Sequence, residues 1–124
     1  MDGEVDPDRV ATLREDDDVD VCVVDIRNPA SFERGHIPGS LNVPLPELTG
    51  EVAGLPDADR VVTVCPHGKA SVQAARLISS YEDIEVPVES MAGGLTAYDG
   101  ELDTGRQSTN DADDDVTDGP ETPF

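Results

Sequence analysis

The sequence predicts an α/β domain built on a mainly parallel central sheet. Three observations carry that expectation. The runs 19-VDVCVVDIR-27 and 61-VVTVC-65 are rich in branched apolar residues and read as strands covered on both faces. The segment 70-ASVQAARLISSY-81 carries Val72, Ala75, Leu77 and Ile78 in helical phase. Gly and Pro punctuate the intervals, so short strands and helices alternate along the chain.

In order, 7-PDRVATLRE-15 opens on Pro and spaces Val10 and Leu13 for a short amphipathic helix. The strand at 19–27 has its apolar middle from Val21 to Val24, and Asn28-Pro29 breaks it. A short helix is expected over Pro29–Arg34. The stretch 35-GHIPGSLNVPL-45 reads as a turn followed by a brief strand from Leu41 to Val43. Next, 46-PELTGEVAGL-55 permits a weak helix, interrupted by Gly50 and Gly54. After the 61–65 strand, a short loop leads into the helix at 70–81. A last strand falls in 86-VPVESM-91, followed by 92-AGG-94 and a turn of helix through Tyr98. From about Thr104 the residues are polar and acidic. They predict a disordered tail over 104–124 and a folded domain over 5–103.

A chain of 124 residues suits one domain with one modest core. Aromatics make up only 3% and Trp is absent, so Val, Leu, Ile and Ala must build that core. Charge is one-sided, with 28 acidic against 8 basic residues and a net of −20. Nucleic acid and anionic membranes need a basic surface, so neither is an expected partner. Lys occurs once, at Lys69. An even acidic coat almost free of Lys resembles the composition of proteins from extreme halophiles. At about 1 M salt the Debye length is about 3 Å, and such a coat repels itself little there. No apolar run approaches a membrane span. The first residues lack the basic and apolar regions of a signal peptide, so a cytoplasmic protein is the expectation, and a monomer is the default for a small acidic domain. Cys22 and Cys65 form no CxxC pair, and no disulfide is expected.

The stretch 64-VCPHGKAS-71 concentrates the chemistry. It puts Cys65 at the C-terminal end of a buried parallel strand, where open α/β sheets bind ligands. A loop from Pro66 through His67, Gly68 and Lys69 then meets the helix N-terminus at Ala70 and Ser71. Pro66 has no amide proton, and Gly68 frees the backbone to curl. Successive amides in such a curl make an anion nest, reinforced by the helix dipole, and hold a thiolate. Lys69 would attract an anionic substrate. The same pattern also suits a buried structural thiol followed by an ordinary turn. Cys65 and His67 have no further Cys or His cluster to complete a metal site, and no cofactor is implied. Gly68-Lys69 lacks the upstream Gly and the following Ser or Thr of a phosphate-binding P-loop.

Three motifs in order resemble the rhodanese-like sulfurtransferase family. The loop 65-CPHGKAS-71 is similar to its active-site loop. The stretch 24-VDIRNPASFERGHIPGSLNVPL-45 is similar to its N-terminal signature of Asp-x-Arg, an aromatic and a Gly-His-Ile-Pro-Gly turn. The stretch 91-MAGGLTAYDGEL-102 is similar to its Gly-Gly motif, which often carries Trp where this chain has Tyr98. The resemblance covers roughly residues 5 to 103. It implies a parallel sheet flanked by helices on both faces. It further implies that Cys65 takes a sulfane sulfur from thiosulfate or a similar donor as a persulfide and passes it to a thiophile such as cyanide. In that picture the loop from Pro66 to Ser71 binds substrate, with Lys69 meeting thiosulfate or leaving sulfite.

His67 fits a helper or a spectator at the loop surface. Ser71 suits either a helix cap or a donor to the sulfur. Asp25 and Arg27 read as a structural strand-end pair, and His36 as a turn residue bonded to backbone. Gly93 and Gly94 allow close backbone packing beside the loop, and Cys22 should be inert in its Val-rich strand. Alternatives are a persulfide carrier serving a protein partner in cofactor or tRNA thiolation, a Cys-dependent phosphatase or arsenate reductase, and a non-catalytic module. A phosphatase needs Arg six positions after Cys65, to clamp phosphate bidentately, and Ser71 stands there.

Overall fold

The two Val-rich runs become neighbours at the centre of one sheet. The computed structural model describes residues 3–105. Strand β2 (Val21–Asp25) pairs in parallel with β4 (Arg60–Val64) along its whole length, from Val21 opposite Arg60 to Asp25 opposite Val64. β5 (Val88–Met91) lies on the other side of β4, β3 (Leu41–Asn42) flanks β2, and β1 (Glu4–Val5) flanks β5. The order is β1-β5-β4-β2-β3, and every pairing is parallel.

Side chains alternate across this sheet and divide the core in two. On one face Cys22, Val24, Val61 and Val88 meet Leu48 of α3 (Leu48–Glu51) and Ala74, Ala75 and Ile78 of α4 (Ala70–Ser79). On the other face Val23, Val62, Val64 and Met91 meet Val10 of α1 (Pro7–Glu15), together with Ile37 and Tyr98. Both faces are covered, as unbroken apolar strands require. α2 (Pro29–Arg34) is capped by the Asn28 side chain, which accepts from the Ser31 amide at 2.8 Å.

The elements depart from expectation in a few places. The weak helix over 46–55 is α3 between two short 3-10 turns, Leu45–Glu47 and Val52–Gly54. Ala74 is buried in α4 while Val72 is only half-buried, so the helix turns its small residues to the sheet. β1 had no sequence signal, because two residues on a sheet edge show no periodicity. A further closure joins His36 to Asp103 in an isolated antiparallel bridge. No described helix is long and apolar enough to cross a membrane. Residues 106–124, most of the expected tail, lie outside the described residues.

Candidate active site

β4 ends at Val64, and Cys65 follows at the C-terminal edge of the sheet, only 2% exposed. The chain then curls through Pro66, His67, Gly68 and Lys69 into α4. Gly68 makes the curl possible. Its φ is +82°, and a Cβ there would stand 2.7 Å from the Gly93 nitrogen.

α4 begins without a capping side chain. The Cys65 sulfur takes that place. It accepts the Gly68 amide at 3.0 Å and the Ser71 amide at 3.3 Å. The first amides of any helix lack intrahelical partners, so an anion is favoured where they converge. The Ser71 hydroxyl lies 3.3 Å from the same sulfur and 2.7 Å from the Ser90 hydroxyl. Of the two roles open to Ser71, the geometry matches the sulfur contact; the residue sits inside α4 rather than at its cap.

Burial pushes the Cys65 thiol up. The Ser71 hydroxyl and the amides of Ser71, His67 and Gly68 oppose it, and the net result is below the ordinary thiol value. Cys22 lines a hollow of about 410 Å³ with Arg14, Asp20, Pro38, Gly39 and Asp57, near the opposite ends of the strands. No donors offset its burial, and its thiol is pushed up to about 11. One cysteine is prepared for ionisation and the other is not.

A second backbone segment locks the curl. The Leu95 amide donates to the Cys65 carbonyl at 2.9 Å and the Thr96 amide to the Pro66 carbonyl at 3.2 Å. Gly94 permits this approach. With φ +65°, it would place a Cβ 2.4 Å from the Cys65 oxygen and 2.5 Å from the His67 nitrogen. Gly93 holds a φ of +73° in the same turn. Pro66, His67 and Lys69 are exposed on the rim, and Ala70 is half-buried behind them.

Asp25 and Arg27 form a tie beside the site. The Asp25 carboxylate is 1% exposed and accepts Arg27 Nη2 at 2.7 Å and Nε at 3.0 Å. Arg27 Nη2 also donates to the Gly35 carbonyl at 2.7 Å. His36 stacks on Phe32 at 3.8 Å between ring centroids, and its Nδ1–H donates to the Phe32 carbonyl at 2.8 Å. These contacts fix loops around β2.

Sequence reasoning missed Thr63 and Ser90. Both are fully buried, and Thr63 Oγ1 donates to the Ser71 carbonyl at 2.6 Å. The signal was available in part: Thr63 is two residues before Cys65 in a strand and so shares its face. Nothing local marked Ser90. Among the described residues, no three His, Cys, Asp or Glu side chains gather as a metal site.

The chain matches the Rhodanese-like domain family over residues 6–101. It belongs to that family. A relative named thiosulfate sulfurtransferase GlpE, from Pseudoalteromonas translucida, is 36% identical over 90 residues, covering 71% of this chain and 82% of that protein. A Bacillus subtilis relative named for a sulfur-carrier role, YrkF, is 33% identical over 61 residues, covering 49% of this chain and 33% of that one. A solved rhodanese-like domain protein from Staphylococcus aureus superposes with a TM-score of 0.70 at 17% identity, over 82% of this chain and 97% of that one. That last likeness concerns the fold alone. The rhodanese-like match and the parallel sheet agree with the expected fold, and the sheet is wholly rather than mainly parallel.

Proposed function

We propose that this chain transfers a sulfane sulfur from thiosulfate, or a donor of the same class, to a thiophilic acceptor through a persulfide on Cys65. The Cys65 thiolate attacks the outer sulfur of thiosulfate. The new S–S bond forms as the bond to the sulfonate sulfur breaks, and sulfite leaves with that electron pair. A thiophile such as cyanide then takes the outer sulfur, releasing thiocyanate and restoring the thiolate. No proton or external electron is needed in either half, which suits a ping-pong cycle on one nucleophile.

The observation that carries the reading is the sulfur standing where the cap of α4 should be. Two amides and a hydroxyl converge on it, in a loop that can hold the anion before and after loading. Lys69, on the exposed rim, meets the donor's sulfonate in this reading, and the remaining loop residues shape the mouth. A phosphoryl-transfer site would need an Arg where Ser71 instead turns to the sulfur. The setting proposed is a reducing, cytoplasmic and salty one, for a monomer. Both cysteines are free, and the net charge of −20 disfavours nucleic acid and membrane surfaces.

A thiosulfate:cyanide assay in molar salt tests this, comparing wild type, Cys22→Ser and Cys65→Ser. Thiocyanate formation should persist in Cys22→Ser and vanish in Cys65→Ser. Activity surviving in Cys65→Ser would sink the nucleophile assignment. The similarity to the YrkF relative favours a second reading, delivery of the persulfide sulfur to a protein partner. It predicts a persulfide that forms readily yet yields thiocyanate slowly.

A further inference from the structure

Three hydroxyl side chains lie beneath the sulfur, where an apolar sheet face would otherwise meet α4. Thr63, Ser71 and Ser90 all have zero exposure. Thr63 is committed to the Ser71 carbonyl, at 2.6 Å. Ser71 and Ser90 face each other at 2.7 Å between oxygens, and the Ser71 oxygen is 3.3 Å from the Cys65 sulfur. The Ser90 oxygen, the Ser71 oxygen and the Cys65 sulfur are thus joined by two successive buried contacts.

We propose that Ser90 is a positioning residue of this site, orienting the Ser71 hydroxyl as a donor to the ionised sulfur. The hydrogen count gives the reason. A thiol can donate to the Ser71 oxygen, but a thiolate only accepts, so Ser71 must turn its single proton to the sulfur. Its oxygen is then a buried acceptor that water does not reach. Ser90 is within bonding distance and supplies a proton to it. That donation also polarises the Ser71 O–H and strengthens its charge-assisted bond to sulfur. When the sulfur regains a proton, the Ser71 and Ser90 hydroxyls reverse by rotation alone. Ser90 acts through Ser71 and does not itself meet the substrate.

This inference rests on the reading of Cys65 as a working thiolate, but its test needs no sulfur donor. The pH titration of the Cys65 13Cβ NMR resonance reads ionisation directly in the whole chain, assigned by its loss in Cys65→Ser. Ser90→Ala should raise the midpoint by about half a pH unit and Ser71→Ala by about one. Ser90→Thr keeps the hydroxyl and should restore the wild-type midpoint. If Ser90→Ala fails to fold, Ser90→Cys, close in volume and a poor donor, should give the same upward shift. Adding Ser90→Ala to Ser71→Ala should move the midpoint no further, because the two act in series. An unmoved midpoint in Ser90→Ala, or a full shift that persists when Ser71 is already Ala, overturns the proposal. A chain that shows the series coupling but takes no sulfur from thiosulfate leaves Ser90's role standing and removes the reading of thiosulfate as the donor.

Discussion

At Cys65 two opposing effects meet on one atom. Burial favours the neutral thiol, while the Ser71 hydroxyl and the loop amides favour the anion and prevail. Cys22 experiences the first effect without the second and is held at about 11. At pH 7, therefore, a small alkylating reagent should modify Cys65 well before Cys22, with the sites separated by peptide mass. The sign of the pH dependence follows from the lowered value. The folded site holds a thiolate better than the unfolded chain does. This contribution to stability is complete above the unfolded thiol value and is lost as pH falls through the folded one. Reactivity at Cys65 declines over the same acidic limb. Lys69→Ala should raise KM for thiosulfate about threefold at 0.1 M salt with kcat little changed, and the difference should shrink at 1 M salt. The position of Cys65 after β4 and the curl at Gly68 were legible in the sequence because the loop's geometry is local. Ser90 was not, since its meaning depends on a neighbour 19 positions away that only the sheet brings close.

Among elements, the loop after β4 and the turn after β5 work as one piece. Gly94 is the contact point, and a methyl group there meets the Cys65 carbonyl at 2.4 Å in a backbone region that L-residues resist. Gly94→Ala should cost about 2 kcal/mol or more in urea unfolding and should also lower kcat, because relief requires moving the sulfur cradle. The Asp25–Arg27 pair ties β2 to the turn at Gly35. Asp25→Ala leaves a largely buried guanidinium unpaired and should cost about 3 kcal/mol. The central strands and α4 were legible because long apolar runs and helical phase are strong signals. The dipeptide strand β1 and the bridge from His36 to Asp103 were not, since pairing distant edge residues leaves no pattern in the chain. Which of the two roles left open for Ser71 applies was not legible, because a sulfur atom does for α4 what a Ser or Asp side chain usually does.

For the whole molecule, the charge of −20 makes salt the condition to vary. Raising salt from 0.1 to 1 M shortens the Debye length from about 10 Å to about 3 Å and removes most long-range repulsion. The melting temperature should rise by at least about 5 °C over that range, equivalent to about 1 kcal/mol for a domain of this size. A flat profile would remove the halophilic reading without touching the site. The fold class was legible at this scale because strand and helix alternation leaves few arrangements once both sheet faces must be covered. The central claim is that Cys65 accepts a sulfur covalently. Intact mass spectrometry after thiosulfate treatment in molar salt tests it most directly. The account predicts a gain of about 32 Da, as expected of a covalent sulfur adduct. That gain should map to Cys65 and disappear on adding cyanide. No gain, or a gain that remains in Cys65→Ser, contradicts it.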